Sequence, residues 1–515
     1  MKHIINSKYL VFPVNSMGIT KKLSIDCGEG GSYELDIKLD YVSPTFESYI
    51  DVSRFMGKEA DITVSPDMLL FFREEDVMEI EDVYRESLRP QIHFSAKNGW
   101  INDPNGLVYA DGVYHMFFQY NPCEQNWGNM HWGHAVSSDL IHWTECDNAL
   151  FPDDRGTMFS GSAIVDEKNL LGMGSDTVAM FYTTTDPFCQ NLSYSTDGCK
   201  TVIRHPSNPV LPNIIGANRD PKVIWCEELG CYIMALYLDG NEYGIFTTKN
   251  LTEWTELQRI VMENDCECPD IFPLTCNGER YWVLIGAHDK YIVGKFADGK
   301  FTPVQDILSL HFGNSAYAGQ TFTGIPDGRI VRMVWDRWAI PTIAASFCGQ
   351  MGVPTDLSLE KCGDKYYLCT NPVPELDILR KNSHTCENVQ VTPDTPFKTG
   401  LPDTPHIFRI KASRPDSGSM NCKMFGRNFF LTFANNKIGI GNNRCPISVS
   451  DSGIDLTVIV DRCSIEIFTD GGKAYMTTLS PDTIMDRNLP VFEISADIDM
   501  MIDKIECVSL RSIWE

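Results

Sequence analysis

Short apolar strands recur at intervals of about fifty residues through the middle of this chain, and that recurrence restricts its fold more than any other feature. The strands begin near Tyr114, Val178, Cys231, Tyr281 and Val331. A second repeat runs across them. Residues 136–145 and 247–256 both end in Leu-x-x-Trp-Thr-Glu after a polar turn, and residues 192–198 carry a third version of the strand and turn. Five such units, each rich in short strands, predict an all-β chain whose central region, residues 89–365, is a five-bladed β-propeller. An irregular β-sandwich is the weaker alternative.

The flanks read differently. Residues 1–88 form a separate β-rich accessory unit, because residues 33–39 alternate polar and apolar with the period of a half-buried strand. The charged stretch 74–89 reads as a linker or an edge segment. From about residue 373 six prolines (Pro372, Pro374, Pro393, Pro396, Pro402 and Pro405) crowd what reads as a second linker. Alternating strands follow at 456–460 and 464–468, and the turn 469–472 closes a hairpin. About seven short strands in 366–515 predict a C-terminal β-sandwich.

Composition removes several classes of function. With 43 basic and 69 acidic side chains the formal charge is −26, which repels phosphate backbones and anionic membranes. No apolar run approaches the ~18 residues of a membrane helix. Neither nucleic acid nor membrane is an expected partner. The 18 cysteines are scattered with no paired CxxC, which argues against a zinc module. The first seventeen residues hold a short apolar patch broken by Pro13, weaker than a signal-peptide core. A cytoplasmic chain with reduced thiols is expected, with a secreted mature fragment as the alternative. The accessory units leave room for self-association.

A propeller gathers its innermost strands around a channel, so acids near the start of each blade converge. Three stand out. Asp103 lies in the turn sequence 102–106, before Pro104, which favours an extended backbone; an Asx-turn entering a strand is the plain alternative. Asp220 lies between Arg219 and Pro221, and the neighbouring guanidinium is expected to keep it ionised; a surface ion pair is the alternative. Glu267 lies between Cys266 and Cys268, a poorly hydrated setting in which burial is expected to raise its pKa, as suits a general acid; a loop glutamate between two core cysteines is the alternative. Three carboxylates from three blades meet the demand of glycoside hydrolysis for a proton donor and a second carboxylate flanking the sugar. The HxxH of His131 and His134 falls in what reads as a Gly/Trp-rich turn, and HExxH is absent. No phosphate loop and no G-x-S-x-G elbow occurs.

These residues carry a resemblance. The stretches 92–106, 116–122, 127–134, 159–163, 219–221, 267–269 and 317–322 occur in the order of the motifs of glycoside hydrolase family 32, the invertases and fructanases. Residues 460–468 resemble that family's C-terminal domain. The resemblance implies a retaining mechanism with Asp103 as nucleophile, Asp220 as transition-state stabiliser and Glu267 as acid/base. It implies a fructose pocket lined by Asn102, Gln119, Trp127, Phe159, Ser160, Arg219 and Trp335, and no metal or organic cofactor. The implied activity is exo-acting: release of terminal fructose from fructo-oligosaccharides, inulin- or levan-type chains, or sucrose. A sucrose-preferring invertase and a fructosyltransferase are the near alternatives. A non-catalytic sugar-binding propeller is the distant one. The chain departs from the family at 354–357, at Asp336 and Arg337, and at 147–150, which bears on the leaving-group subsite. The accessory unit is expected to pack on the propeller or mediate assembly rather than bind sugar directly.

Overall fold

The computed structural model describes residues 1–337, 345–451, 453–480 and 483–515. Five antiparallel sheets follow one another through the centre of the chain. Their first strands are Gly99–Ala110, Met158–Val165, Arg219–Cys226, Asp270–Cys276 and Ala316–Thr321. Each lies against the next, and the fifth returns to the first. The seam between fifth and first is stitched by Tyr109 N–H to Thr323 O at 2.9 Å and Thr323 N–H to Leu107 O at 3.0 Å. Phe347–Cys348 adds a short parallel strand to Gly99–Ala110.

The apolar strands of the recurrence are the second strands of these sheets, exemplified by Val178–Thr185 and Cys231–Asp239. They are buried along nearly their whole length, because neighbouring sheets cover both faces. That is why they read as continuous apolar runs rather than as alternating ones. The Leu-x-x-Trp repeat is a turn. Asp139 Oδ1 accepts from the N–H groups of Ile141 and His142, and Asn250 Oδ1 accepts from those of Thr252 and Glu253. Leu140 and Leu251 take the same left-handed φ, 68° and 65°.

Several boundaries differ from the sequence reading. The fifth sheet runs to Pro372, because Thr355–Cys362 and Lys365–Pro372 form a hairpin and residue 365 falls at its turn. The proline-rich stretch is not a linker. Pro374 opens a short 3-10 helix, Pro374–Leu379, and Arg380–Val391 is a twelve-residue strand. Pro372, Pro393 and Pro396 sit at strand ends or in the turn that follows, where a missing N–H breaks no ladder bond. The C-terminal unit holds two six-stranded sheets rather than about seven strands. Residues 1–75 hold a four-stranded and a three-stranded sheet around their own core, which includes Leu10, Phe12, Ile25, Leu35 and Ile62. Residues 73–75 pair as an edge strand, and the rest of the charged stretch is irregular chain with turns at 81–85 and 87–88.

The sandwich shares a core with the propeller: Ile459, Phe468 and Val508 cluster with Ile92, Met351 and Val353. At that interface Asp461 accepts hydrogen bonds from the N–H groups of Gln91 and Ile92, the latter at 2.9 Å, and pairs with His93 Nδ1 at 2.8 Å. His93 Nε2 lies 3.2 Å from Glu466. Burial opposes the imidazolium, but Glu466 and Asp461 outweigh it and raise His93 to about 10. The opening stretch of the propeller and residues 460–468, far apart in sequence, therefore meet as one ion-paired joint.

Candidate active site

Four of the five inner strands are bulged where they reach one end of the ring. Pairing skips Asn102 and Asp103 in the first sheet, Phe159 and Ser160 in the second, Asp220 and Pro221 in the third, and Ala318 and Gly319 in the fifth. A bulge frees residues from the ladder and re-aims their side chains. Here it turns polar groups from separate sheets toward one cavity. The backbone is also held in the left-handed region, at φ 65° for Asp220, 60° for Glu267 and 36° for Cys268. Such conformations cost of order 1–3 kcal/mol each and persist where the surroundings dictate them. Gly161 permits the second bulge, since a Cβ there would lie 1.9 Å from Phe181 O.

The cavity measures about 400 Å³. All ten residues singled out from sequence line it: Asn102, Asp103, Gln119, Trp127, Phe159, Ser160, Arg219, Asp220, Glu267 and Trp335. Phe188, Cys268 and Tyr317 complete the wall. Ser160 Oγ donates to Asp103 Oδ2 at 2.6 Å. The Cys268 thiol bridges two acids, 3.3 Å from Asp103 Oδ2 and 3.4 Å from Asp220 Oδ2. The Cys268 N–H donates to the same Asp220 oxygen at 3.0 Å. Glu267 receives the Arg219 guanidinium at 2.6 Å and the Tyr317 hydroxyl on its other oxygen. Among the described residues the Trp335 indole N–H is buried without a protein acceptor.

Two electrostatic expectations are corrected. Burial does push the Glu267 carboxyl up, but the Tyr317 hydroxyl and the Arg219 charge outweigh it, and the group lies below its ordinary range. Burial likewise lifts Asp220, and Arg219 does not offset it. The charge of Asp103 adds to the rise, and Asp220 reaches about 7. The reason is geometric: Arg219 aims its terminal nitrogen at Glu267, and its Nε stays 3.7 Å from Asp220. Asp103 is raised by burial, against the hydrogen bonds from Ser160 and Cys268. A proton in this site therefore favours Asp220 over Glu267.

The departures from the family pattern mostly fall outside the cavity. Asp336 turns away from it, fully buried, to accept from Gln350 Nε2 at 2.9 Å. Arg337 lies over the Tyr317 ring at 4.6 Å and so backs the cavity wall. Asp356 pairs with Arg329, and Asp147 with Lys8. His131 and His134 lie on the strand His131–Ser137 rather than in a turn. Three residues apart on a strand they point to opposite faces: His131 meets the Tyr33 hydroxyl, and His134 meets His115. Burial lowers each imidazole to about 3, and the pair does not form a joint ligand set.

A family model described as "Glycosyl hydrolases family 32 N-terminal domain" matches residues 93–372, and one described as "Glycosyl hydrolases family 32 C terminal" matches residues 412–497. The levanase of Bacillus subtilis (strain 168) is 30% identical over 495 residues, which is 84% of this chain and 72% of the levanase. The fructan beta-fructosidase of Streptococcus mutans is 31% identical over 448 residues, covering 76% of this chain and 31% of that larger protein. The crystal structure of exo-inulinase from Aspergillus awamori superposes with a TM-score of 0.72 at 24% identity, over 84% of this chain and 100% of that one.

Proposed function

Because the chain belongs to glycoside hydrolase family 32, we propose that its three-carboxylate cavity removes terminal β-fructofuranosyl residues from fructo-oligosaccharides, inulin- or levan-type fructans and sucrose, with retention of configuration. The observation that carries this reading is the meeting of Asp103 and Asp220, from the bulges of the first and third sheets, with Glu267, from the loop before the fourth, at one cavity. The names of the relatives support the substrate class: levanase and fructan beta-fructosidase.

In this reading Asp103 attacks the anomeric carbon while Glu267 protonates the departing oxygen. Asp220 accepts fructose hydroxyls and opposes the positive charge that develops on the ring. Asp220, not Glu267, has the raised pKa, so bound substrate must shift the proton toward Glu267. Sugar hydroxyls that donate to Asp103 and Asp220 stabilise the ionised aspartates. A glycosidic oxygen beside Glu267 displaces water from the one acid that is part-exposed, which favours its neutral form. Tyr317 acts against that neutral form by donating to Glu267.

The pH profile tests the assignment. An acid catalyst works only while protonated, so kcat/KM falls as pH rises through the pKa of Glu267. Tyr317→Phe removes a contact that lowers this pKa, and the basic limb of the kcat/KM profile should move to higher pH. A basic limb that stays fixed, or moves down, contradicts the role of Glu267.

Product analysis tests the substrate. The chain is incubated with sucrose, 1-kestose, inulin and levan, and the products are separated from the earliest time points. A cavity closed behind one sugar cuts only at chain ends, so free fructose should dominate from the start. Mixed oligosaccharides appearing early would refute the exo reading. Longer kestose-type products would favour fructosyl transfer, and no turnover of any substrate would favour a sugar-binding role.

A further inference from the structure

We propose that residues 1–75 are a positioning unit for the sugar cavity, acting by gripping both flanks of the loop that carries Trp127; the identity of the sugar rests on the reading above. Trp127 lines the cavity but is 59% exposed, and it meets Phe159 only edge-on at 5.9 Å. Its own packing does not fix it. The loop around it is held instead, by Asn121 of the propeller, whose amide donates to Asn126 O at 2.8 Å, and on both flanks by the N-terminal unit. Before the tryptophan, Ser48 Oγ donates to Pro122 O at 3.2 Å, and the Cys123 side chain inserts into the core of residues 1–75. Lys38 then pairs with Glu124 at 3.3 Å, and Ser16 Oγ donates to Gln125 Oε1 at 2.5 Å. After it, the Asn129 amide exchanges two hydrogen bonds of 2.8 Å with the backbone of Asp36, and His131 meets the Tyr33 hydroxyl.

Residues 126–128 at the tip have no such partner in residues 1–75, whereas most residues from 122 to 131 do. The Lys38–Glu124 pair is largely buried, with side-chain exposures of 15% and 9%, so breaking it leaves an uncompensated charge rather than a loosened surface contact. The Asn129 backbone is left-handed at φ 46°, a conformation that asparagine tolerates and that the paired bonds to Asp36 hold in place. No residue of 1–75 lines the cavity itself. The unit therefore acts through the loop: it sets where the indole stands, and so how tightly the sugar is held before reaction.

The test uses the full-length chain with two grip variants, Ser16→Ala combined with Lys38→Met, and separately Asn129→Ala. Hydrogen exchange is followed on peptides spanning residues 121–131, and sucrose and 1-kestose kinetics are measured alongside. The expected result is faster exchange confined to that loop, a KM raised roughly tenfold and kcat held within about twofold, since the loop supplies binding common to ground and transition states. In a Trp127→Ala background the same grip changes should leave KM where Trp127→Ala alone puts it. Three results overturn the proposal: unchanged loop exchange, faster exchange with unchanged KM, or a KM effect of equal size without Trp127. If the wild-type chain turns over no fructoside, the activity reading fails and exchange alone decides the grip.

Discussion

Asp103→Asn should lower kcat on sucrose or 1-kestose by a factor on the order of 10⁴ or more, with no loss of thermal stability. The amide keeps the volume of the carboxyl, and its oxygen still accepts the Ser160 hydroxyl that now lies 2.6 Å from Oδ2. What it loses is the charge and the attacking oxygen, and neither Asp220 nor Glu267 stands in the bulge that Asp103 occupies. The stability half follows from linkage. Burial raises the folded pKa of Asp103 above its unfolded value, so the unfolded chain gives up this proton first. Stability from the group is fully present below the unfolded pKa and is lost as pH rises through the folded one. At neutral pH the wild-type chain has paid that cost, and the neutral asparagine does not incur it. The variant's melting temperature at pH 7 should therefore equal or exceed the wild type's. Near-normal turnover would remove Asp103 from the mechanism, and a lowered melting temperature would contradict the electrostatic account.

Glu267→Gln should produce the second-largest effect, and one that depends on the leaving group. Natural sugars leave as alkoxides unless protonated, so their turnover should fall by roughly 10²–10⁴. A fructoside with an acidic aryl leaving group needs little protonation, and its first step should be nearly spared. Arg219 holds one oxygen of the side chain and Tyr317 the other; in the amide the guanidinium keeps the oxygen and the Tyr317 hydroxyl can turn to accept from the NH2, so the cavity should keep its shape. Equal losses on the natural and the activated substrate would assign the proton to another residue.

Much of this site was legible because its chemistry lies in short sequence-local units. Asp103, Asp220 and Glu267 each sit in a turn-like or proline-bounded stretch, and the fifty-residue recurrence announced that such stretches would converge. The bulges were not legible. Nothing in the residues Phe159-Ser160 or Ala318-Gly319 marks a bulge, and only cross-strand pairing shows that they are skipped. The Glu267 environment was misjudged for a related reason: flanking cysteines report burial, whereas the groups that lower its pKa, Tyr317 and Arg219, are 50 and 48 residues away. Tyr317 carried a signal, since it opens one of the ordered motifs, and Cys268 carried one as the neighbour of Glu267; neither was read as part of the wall. The proline-rich stretch 372–405 misled because proline marks strand ends as readily as linkers. The twelve-residue strand Arg380–Val391 pairs with Met500–Leu510, more than a hundred residues on.

The central claim is a covalent fructosyl intermediate on Asp103, and mass spectrometry of the Glu267→Gln variant tests it most directly. An activated aryl fructoside drives the first step without the acid, and the second step then lacks the base that would activate water. The intermediate should accumulate. Quenching in acid, digestion and peptide mapping should find one hexosyl unit on the peptide that contains Asp103. An adduct on the Asp220 peptide, or no adduct while aryl alcohol is still released in a burst, would contradict the account.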